Sequence, residues 1–189
     1  MTKLVVFLGN PGSDYGRTRH NIAWMLVERL SFYSRLSWRR KFKGWFAQER
    51  VGEISYTFLK PETFMNKSGE SVRPLLDFYR FLPGELLAVH DDLELPYGRV
   101  GFKSGGGLGG HNGLRSIKRA LGTSDFGRFR LGIGRPARGS VSSHVLGAFS
   151  EAERAVLPRY LELAASLLEE RLEGCDPNPG AESVVSLLD

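Results

Sequence analysis

Two histidines, His20 and His111, each stand directly before an asparagine in a polar segment that follows a strand-like run. Loop ends of an α/β sheet are where reactive groups collect, because rigid strands fix them and loops expose them. His20 closes Tyr15-Gly16-Arg17-Thr18-Arg19-His20, polar enough to leave an imidazole partly exposed and able to act as a base near neutral pH. The structural alternative is a histidine that caps the helix after it. His90-Asp91-Asp92-Leu93-Glu94 ends another strand-like run, so it places a carboxylate where the second ring proton of a histidine from another loop can be accepted. Such a partner fixes the tautomer and stabilises the imidazolium formed when water is deprotonated. The same acidic cluster admits a magnesium reading, or a solvated turn before Pro96, and no second acidic cluster completes the metal site elsewhere.

Asn10, Asn66 and Asn112 sit in turns beside Gly, Met or His. A neutral amide can donate to a developing oxyanion or hold a peptide carbonyl without adding charge, and it can equally be a turn former that tolerates left-handed backbone. Gly105-Gly106-Gly107-Leu108-Gly109-Gly110 formally matches a dinucleotide fingerprint, but it lies mid-chain with no acidic residue at the expected distance. It reads better as a loop that lets a substrate backbone come close, or as a plain mobile loop. No nucleophile elbow, zinc-protease helix or phosphate loop is present, and Cys175 sits late in a Pro/Gly segment with no nearby histidine.

Arg35, Arg39, Arg40, Lys41 and Lys43 alternate with Trp38, Phe42, Trp45 and Phe46, a mixture that binds phosphates and stacks on bases, or forms an edge strand with a basic outer face. Lys103, Arg115, Lys118, Arg119, Arg128 and Arg130 gather around the glycine loop and the strand after it. A formal charge of +5 agrees with a polyanionic partner.

The elements that must position these groups follow from periodicity. Lys3–Leu8 reads as a buried strand entering the turn Gly9-Asn10-Pro11-Gly12, and Asn21–Phe32 as a helix. Trp45–Arg50 and Ile54–Leu59 form a hairpin around Val51-Gly52-Glu53. A helix capped by Ser68 or Ser71 runs to about Phe81; Ser71 is preferred because Pro74 then falls in the first turn. Strands over 85–90, 99–103 and 128–133, helices over 112–121 and 151–172, and a break from Gly174 to Gly180 before a short terminal helix complete the pattern. Strands alternating with helices imply an α/β fold with a mixed sheet, and 189 residues with no internal repeat or linker imply a single domain, residues 1–189. One cysteine excludes a disulfide framework, and the short apolar start and absence of a membrane-length run imply a cytoplasmic protein.

In this order along the chain, several segments resemble bacterial-type peptidyl-tRNA hydrolase. They are Gly9-Asn10-Pro11-Gly12, Tyr15 through Thr18-Arg19-His20-Asn21, Thr63-Phe64-Met65-Asn66-Lys67-Ser68-Gly69, His90 through Pro96, Gly109-Gly110-His111-Asn112-Gly113-Leu114, and Arg130 through Pro136. The resemblance covers most of the chain to about Phe149. It implies a twisted mixed sheet flanked by helices on both faces, and a monomeric cytoplasmic ester hydrolase that recycles tRNA from peptidyl-tRNA without metal or cofactor. By position it implies that His20 is the general base, Asp91 its orienting carboxylate, and Asn112 a group that positions water or stabilises the oxyanion. It implies that Asn10 and Asn66 hold the peptide, that Tyr15 and His111 line the cleft, and that Lys103 and Arg130 clamp the tRNA 5′-phosphate. Leu108 stands where family members often have histidine, Ala23 where a glycine is common, and Asp92 and Glu94 where Glu and Asp are frequent. Other readings are a non-catalytic RNA-binding relative, as in plant organellar splicing factors, and a metal-dependent nuclease or phosphoesterase built on Asp91, Asp92 and Glu94.

Overall fold

The computed structural model describes residues 1–174 and 182–188. Its strands are β1 (Leu4–Phe7), β2 (Arg39–Lys41), β3 (Gly44–Val51), β4 (Ile54–Pro61), β5 (Leu86–Asp92), β6 (Arg99–Ser104), β7 (Gly127–Gly132) and β8 (Ser183–Ser186). They form one sheet in the order β2-β3-β4-β1-β5-β7-β6-β8. β1 runs parallel to β4 and β5, and β5 parallel to β7, whereas β2, β3, β6 and β8 add antiparallel pairings, so the sheet is mixed as expected.

Its centre is buried on both faces, which explains the unbroken apolar run at the start of the chain. Val5 and Phe7 face one core with α1 (Ile22–Val27) and α5 (Glu151–Glu173); Leu4, Val6 and Leu8 face the other with α2 (Gly69–Tyr79) and α3 (Asn112–Leu121). A fifth helix, α4 (Val141–Val145), lies beyond β7. Because β1, β4, β5 and β7 are parallel, the loops after all four emerge at one edge of the sheet, where ligands of open α/β sheets bind.

Two element ends and two elements depart from expectation. α1 stops at Val27 because the chain turns so that Ser31 can donate its backbone N–H (2.5 Å) and hydroxyl (2.7 Å) to the Glu169 carboxylate on α5. α2 starts at Gly69, so Ser68, the other cap position considered, precedes it in place of the preferred Ser71, and Pro74 lies inside the helix. Ser71 is unavailable as a cap, since its hydroxyl donates to Phe42 O (2.6 Å), while the Gly69 N–H finds Ser116 Oγ on α3 (3.0 Å). The segment after Gly180 forms β8 rather than a helix: Val184 and Val185 pair with Gly101 and Val100 and cover the otherwise open edge of β6. α4 was not expected. Cys175 and the break through Gly180 lie outside the described residues. No helix among the described residues is long and apolar enough to cross a membrane.

Candidate active site

A cavity of about 600 Å³ opens at this edge, lined among others by Asn10, Tyr15, His20, Asn66, His90, Asp91, His111 and Asn112. Asp91, at the end of β5, is its centre. Buried to 2% exposure, Asp91 Oδ1 lies 2.8 Å from His20 Nδ1 and 3.0 Å from His111 Nε2. Burial alone would raise the Asp91 pKa, but the two imidazoles outweigh it and hold the carboxyl far below its ordinary range. An ionised carboxylate only accepts, so each facing ring nitrogen carries the proton.

This fixes both tautomers. His111 is the N-cap of α3, where its Nδ1 accepts the backbone N–H groups of Gly113 (3.1 Å) and Leu114 (3.3 Å), leaving Nε2 as the protonated nitrogen that donates to Asp91. His20 donates from Nδ1, so its Nε2 keeps a lone pair beside the cavity. His90 completes a row of three imidazoles, with the rings of His90 and His20 each 5.0 Å from that of His111, His20 tilted to it and His90 edge-on. His90 Nδ1 lies 2.7 Å from the Asp91 carbonyl, and its Nε2 is buried without a partner among the described residues. Burial, reinforced by repulsion from His111, brings its pKa down to about 3, so it is neutral.

Local hydrogen bonds set the loop after β1. Asn21, not singled out from the sequence beyond its place after His20, uses its amide to accept the Asn10 N–H and donate to the Asn10 carbonyl, both at 2.9 Å. Asn10 Oδ1 in turn accepts the Met65 N–H (2.7 Å), tying β1 to the loop after β4. The amide nitrogen of Asn10 is the polar end left over. Asn66 and Asn112 are exposed at the cavity wall, Asn112 as the first residue of α3. Tyr15 meets Phe64 edge to face at 6.2 Å. Arg19 locks the neighbouring backbone to the α4 region, donating to Ala148 O (2.7 Å) and pairing with Glu153 (2.6 Å).

Lys103 and Arg130 do not line this cavity. They lie on β6 and β7, joined to it through Asp92, whose Oδ2 accepts from Arg130 Nε at 2.7 Å. Both also pair with Glu182, a residue with no counterpart in the sequence reading. The three carboxylates of the nuclease reading do not converge: Asp91 serves two histidines, Asp92 serves Arg130, and Glu94 serves Arg135. Among the described residues, one group, His20, Asp91 and His111, has ligand atoms within 4.8 Å of one another. Its His111 nitrogens are both spent, one as helix cap and one as donor to Asp91.

Residues 4–180 match the family model described as peptidyl-tRNA hydrolase. Peptidyl-tRNA hydrolase of Treponema pallidum is 50% identical over 171 residues, 88% of this chain and 85% of that one. The Trichlorobacter lovleyi protein of the same name is 47% identical over 174 residues, 91% and 90% of the two chains. The crystal structure of peptidyl-tRNA hydrolase from Acinetobacter baumannii has a TM-score of 0.81 at 37% identity, covering 92% of this chain and 89% of that one. Sequence and fold together place the chain in the peptidyl-tRNA hydrolase family.

Proposed function

We infer that this chain hydrolyses the ester between a peptide and the 3′-terminal ribose of tRNA, releasing free tRNA and peptide, by direct attack of water. The observation that carries the mechanism is the His20 Nδ1 contact to Asp91 at 2.8 Å, which leaves the opposite nitrogen free beside the cavity. His20 removes a proton from water as it attacks the carbonyl and returns one to the departing ribose oxygen. Asp91 holds the ring and stabilises the imidazolium, as in other histidine–aspartate pairs. Asn112, at the positive end of α3, stabilises the oxyanion or positions water; Asn10 and Asn66 hold the peptide, and Tyr15 and His111 shape the cleft. Lys103 and Arg130 receive the tRNA 5′-phosphate, a role suited to cationic donors on adjacent strands.

The chemistry requires no metal. His111 has no lone pair to offer an ion while it caps α3 and donates to Asp91, and the loss of one ligand leaves too few for a protein-built site. The activity belongs in the cytoplasm, where tRNA is charged and used, and a site built from one chain needs no second copy. The test is release of N-acylated amino acid from N-acyl-aminoacyl-tRNA with excess chelator, against unacylated aminoacyl-tRNA. Hydrolysis confined to the acylated substrate supports the reading. RNA binding without hydrolysis would instead favour a non-catalytic relative, and activity abolished by chelator a metalloenzyme.

A further inference from the structure

We propose that Glu182 is a built-in stand-in for phosphate, seated in a three-cation pocket in which Arg128 is the third donor beside Lys103 and Arg130. The proposal rests on the clamp reading of Lys103 and Arg130 and extends it. Strand register builds the pocket: β6 pairs Lys103 with Arg128 and Gly101 with Arg130, so all three cations share one face. β8 pairs Ser183 with Phe102, which brings the preceding Glu182 opposite Lys103. One carboxylate oxygen of Glu182 takes Lys103 Nζ at 2.8 Å and the other takes Arg130 Nη1, so each oxygen is engaged by one cation.

Arg128 is left over. It is 3% exposed, its Nη1 donates to Gly107 O at 2.6 Å, and its Nε and Nη2 have no partner among the described residues. A buried guanidinium with two idle donors beside a filled two-oxygen site fits an anion with a third oxygen, which a terminal phosphate monoester has. Gly106 (φ 77°) leaves room there, since a side chain at that position would meet Lys103 and Arg128. Glu182 is displaceable, with its side chain 44% exposed, and Arg130 stays anchored by Asp92 when the carboxylate leaves. Glu182 thus offsets the repulsion between the cations in the free protein and competes with the substrate's phosphate, favouring product release.

The test is binding of an acceptor-stem RNA hairpin carrying a 5′-phosphate or a 5′-hydroxyl. Glu182→Gln should bind the phosphorylated hairpin roughly 3- to 10-fold more tightly than wild type, the factor expected on removing exposed ion pairs, with the hydroxyl hairpin unchanged. Arg128→Lys, which retains the charge and is checked for unaltered melting, should reduce the preference for phosphate. An equal gain on both hairpins, or none, with the preference still lost in Lys103→Gln/Arg130→Gln, overturns this proposal alone. A preference that survives Lys103→Gln/Arg130→Gln overturns the clamp and this proposal with it.

Discussion

Asp91 oxygen Oδ1 is shared by two histidines that are not equivalent. His111 spends both nitrogens on structure, whereas His20 spends one on Asp91 and in the proposed mechanism uses the other as the base. Removing His111 as His111→Ala should therefore cost about 1 kcal/mol for the lost cap and a further ~1.5–3 kcal/mol for the bond to a charged acceptor. His111→Asn should recover only the cap; equal losses in equilibrium unfolding would contradict the double role. His90 supplies the pH dependence. Its pKa falls on folding from 6.5 to about 3, so between those values the unfolded chain binds more protons and stability declines as pH is lowered. Asp91, also depressed on folding, acts in the same direction at lower pH: its contribution is present above the ordinary carboxylate range and lost on acidification. His90→Asn should lose less stability than wild type between pH 6.5 and pH 4 in denaturant titrations. His20, Asp91 and His111 were legible in the sequence because each sits in a polar segment beside a strand-like run. The shared oxygen and the idle His90 nitrogen were not, since both depend on distances between residues far apart in the chain.

The site is assembled where loops after β1, β4 and β5 meet the N-terminus of α3. That meeting depends on the close crossing of α2 and α3. A Cβ on Gly69 would come within 2.3 Å of Ser116 O and 2.8 Å of the Ala120 Cβ, both fixed by helix geometry. Gly69→Ala should destabilise by roughly 1–3 kcal/mol, as overpacking does, and lower turnover by shifting α3 with His111 and Asn112; unchanged melting would show that the helices have slack. Most elements were readable from periodicity, including the hairpin, α3 and α5. The short ones were not. Five-residue α4 is less than two turns, too short for a periodic signal, and β8 is only Ser-Val-Val-Ser, whose strand character comes from pairing with β6. Ser71 pointed to the wrong helix start because its hydroxyl is engaged by Phe42, a contact made across 29 positions.

Two groups of cations carried by strands lie toward opposite ends of one sheet. The basic aromatic segment contributes β2 at one edge, with Arg40 paired to Glu62 (2.7 Å) and Arg39 over the Phe46 ring, whereas Lys103, Arg128 and Arg130 lie near the other. Four strands separate β2 from β7, roughly 25 Å at ordinary strand spacing. Lys103→Gln should accordingly reduce the slope of log affinity against log salt by about 0.7–0.9, and Arg39→Glu/Arg40→Glu should leave it unchanged. Composition alone offers both basic groups, and only the family resemblance singles out Lys103 and Arg130; sheet order, set by non-local pairing, separates the two groups in space.

The proposed role of His20, held by Asp91, is to activate water without being needed to hold the substrate. It is tested most directly by single-turnover hydrolysis of N-acyl-aminoacyl-tRNA by wild type and His20→Ala, with binding of the intact substrate measured on both. His20→Ala should be slower by ~10²–10⁴-fold with affinity within a few-fold of wild type. A variant that binds normally and still turns over at a near wild-type rate would contradict it.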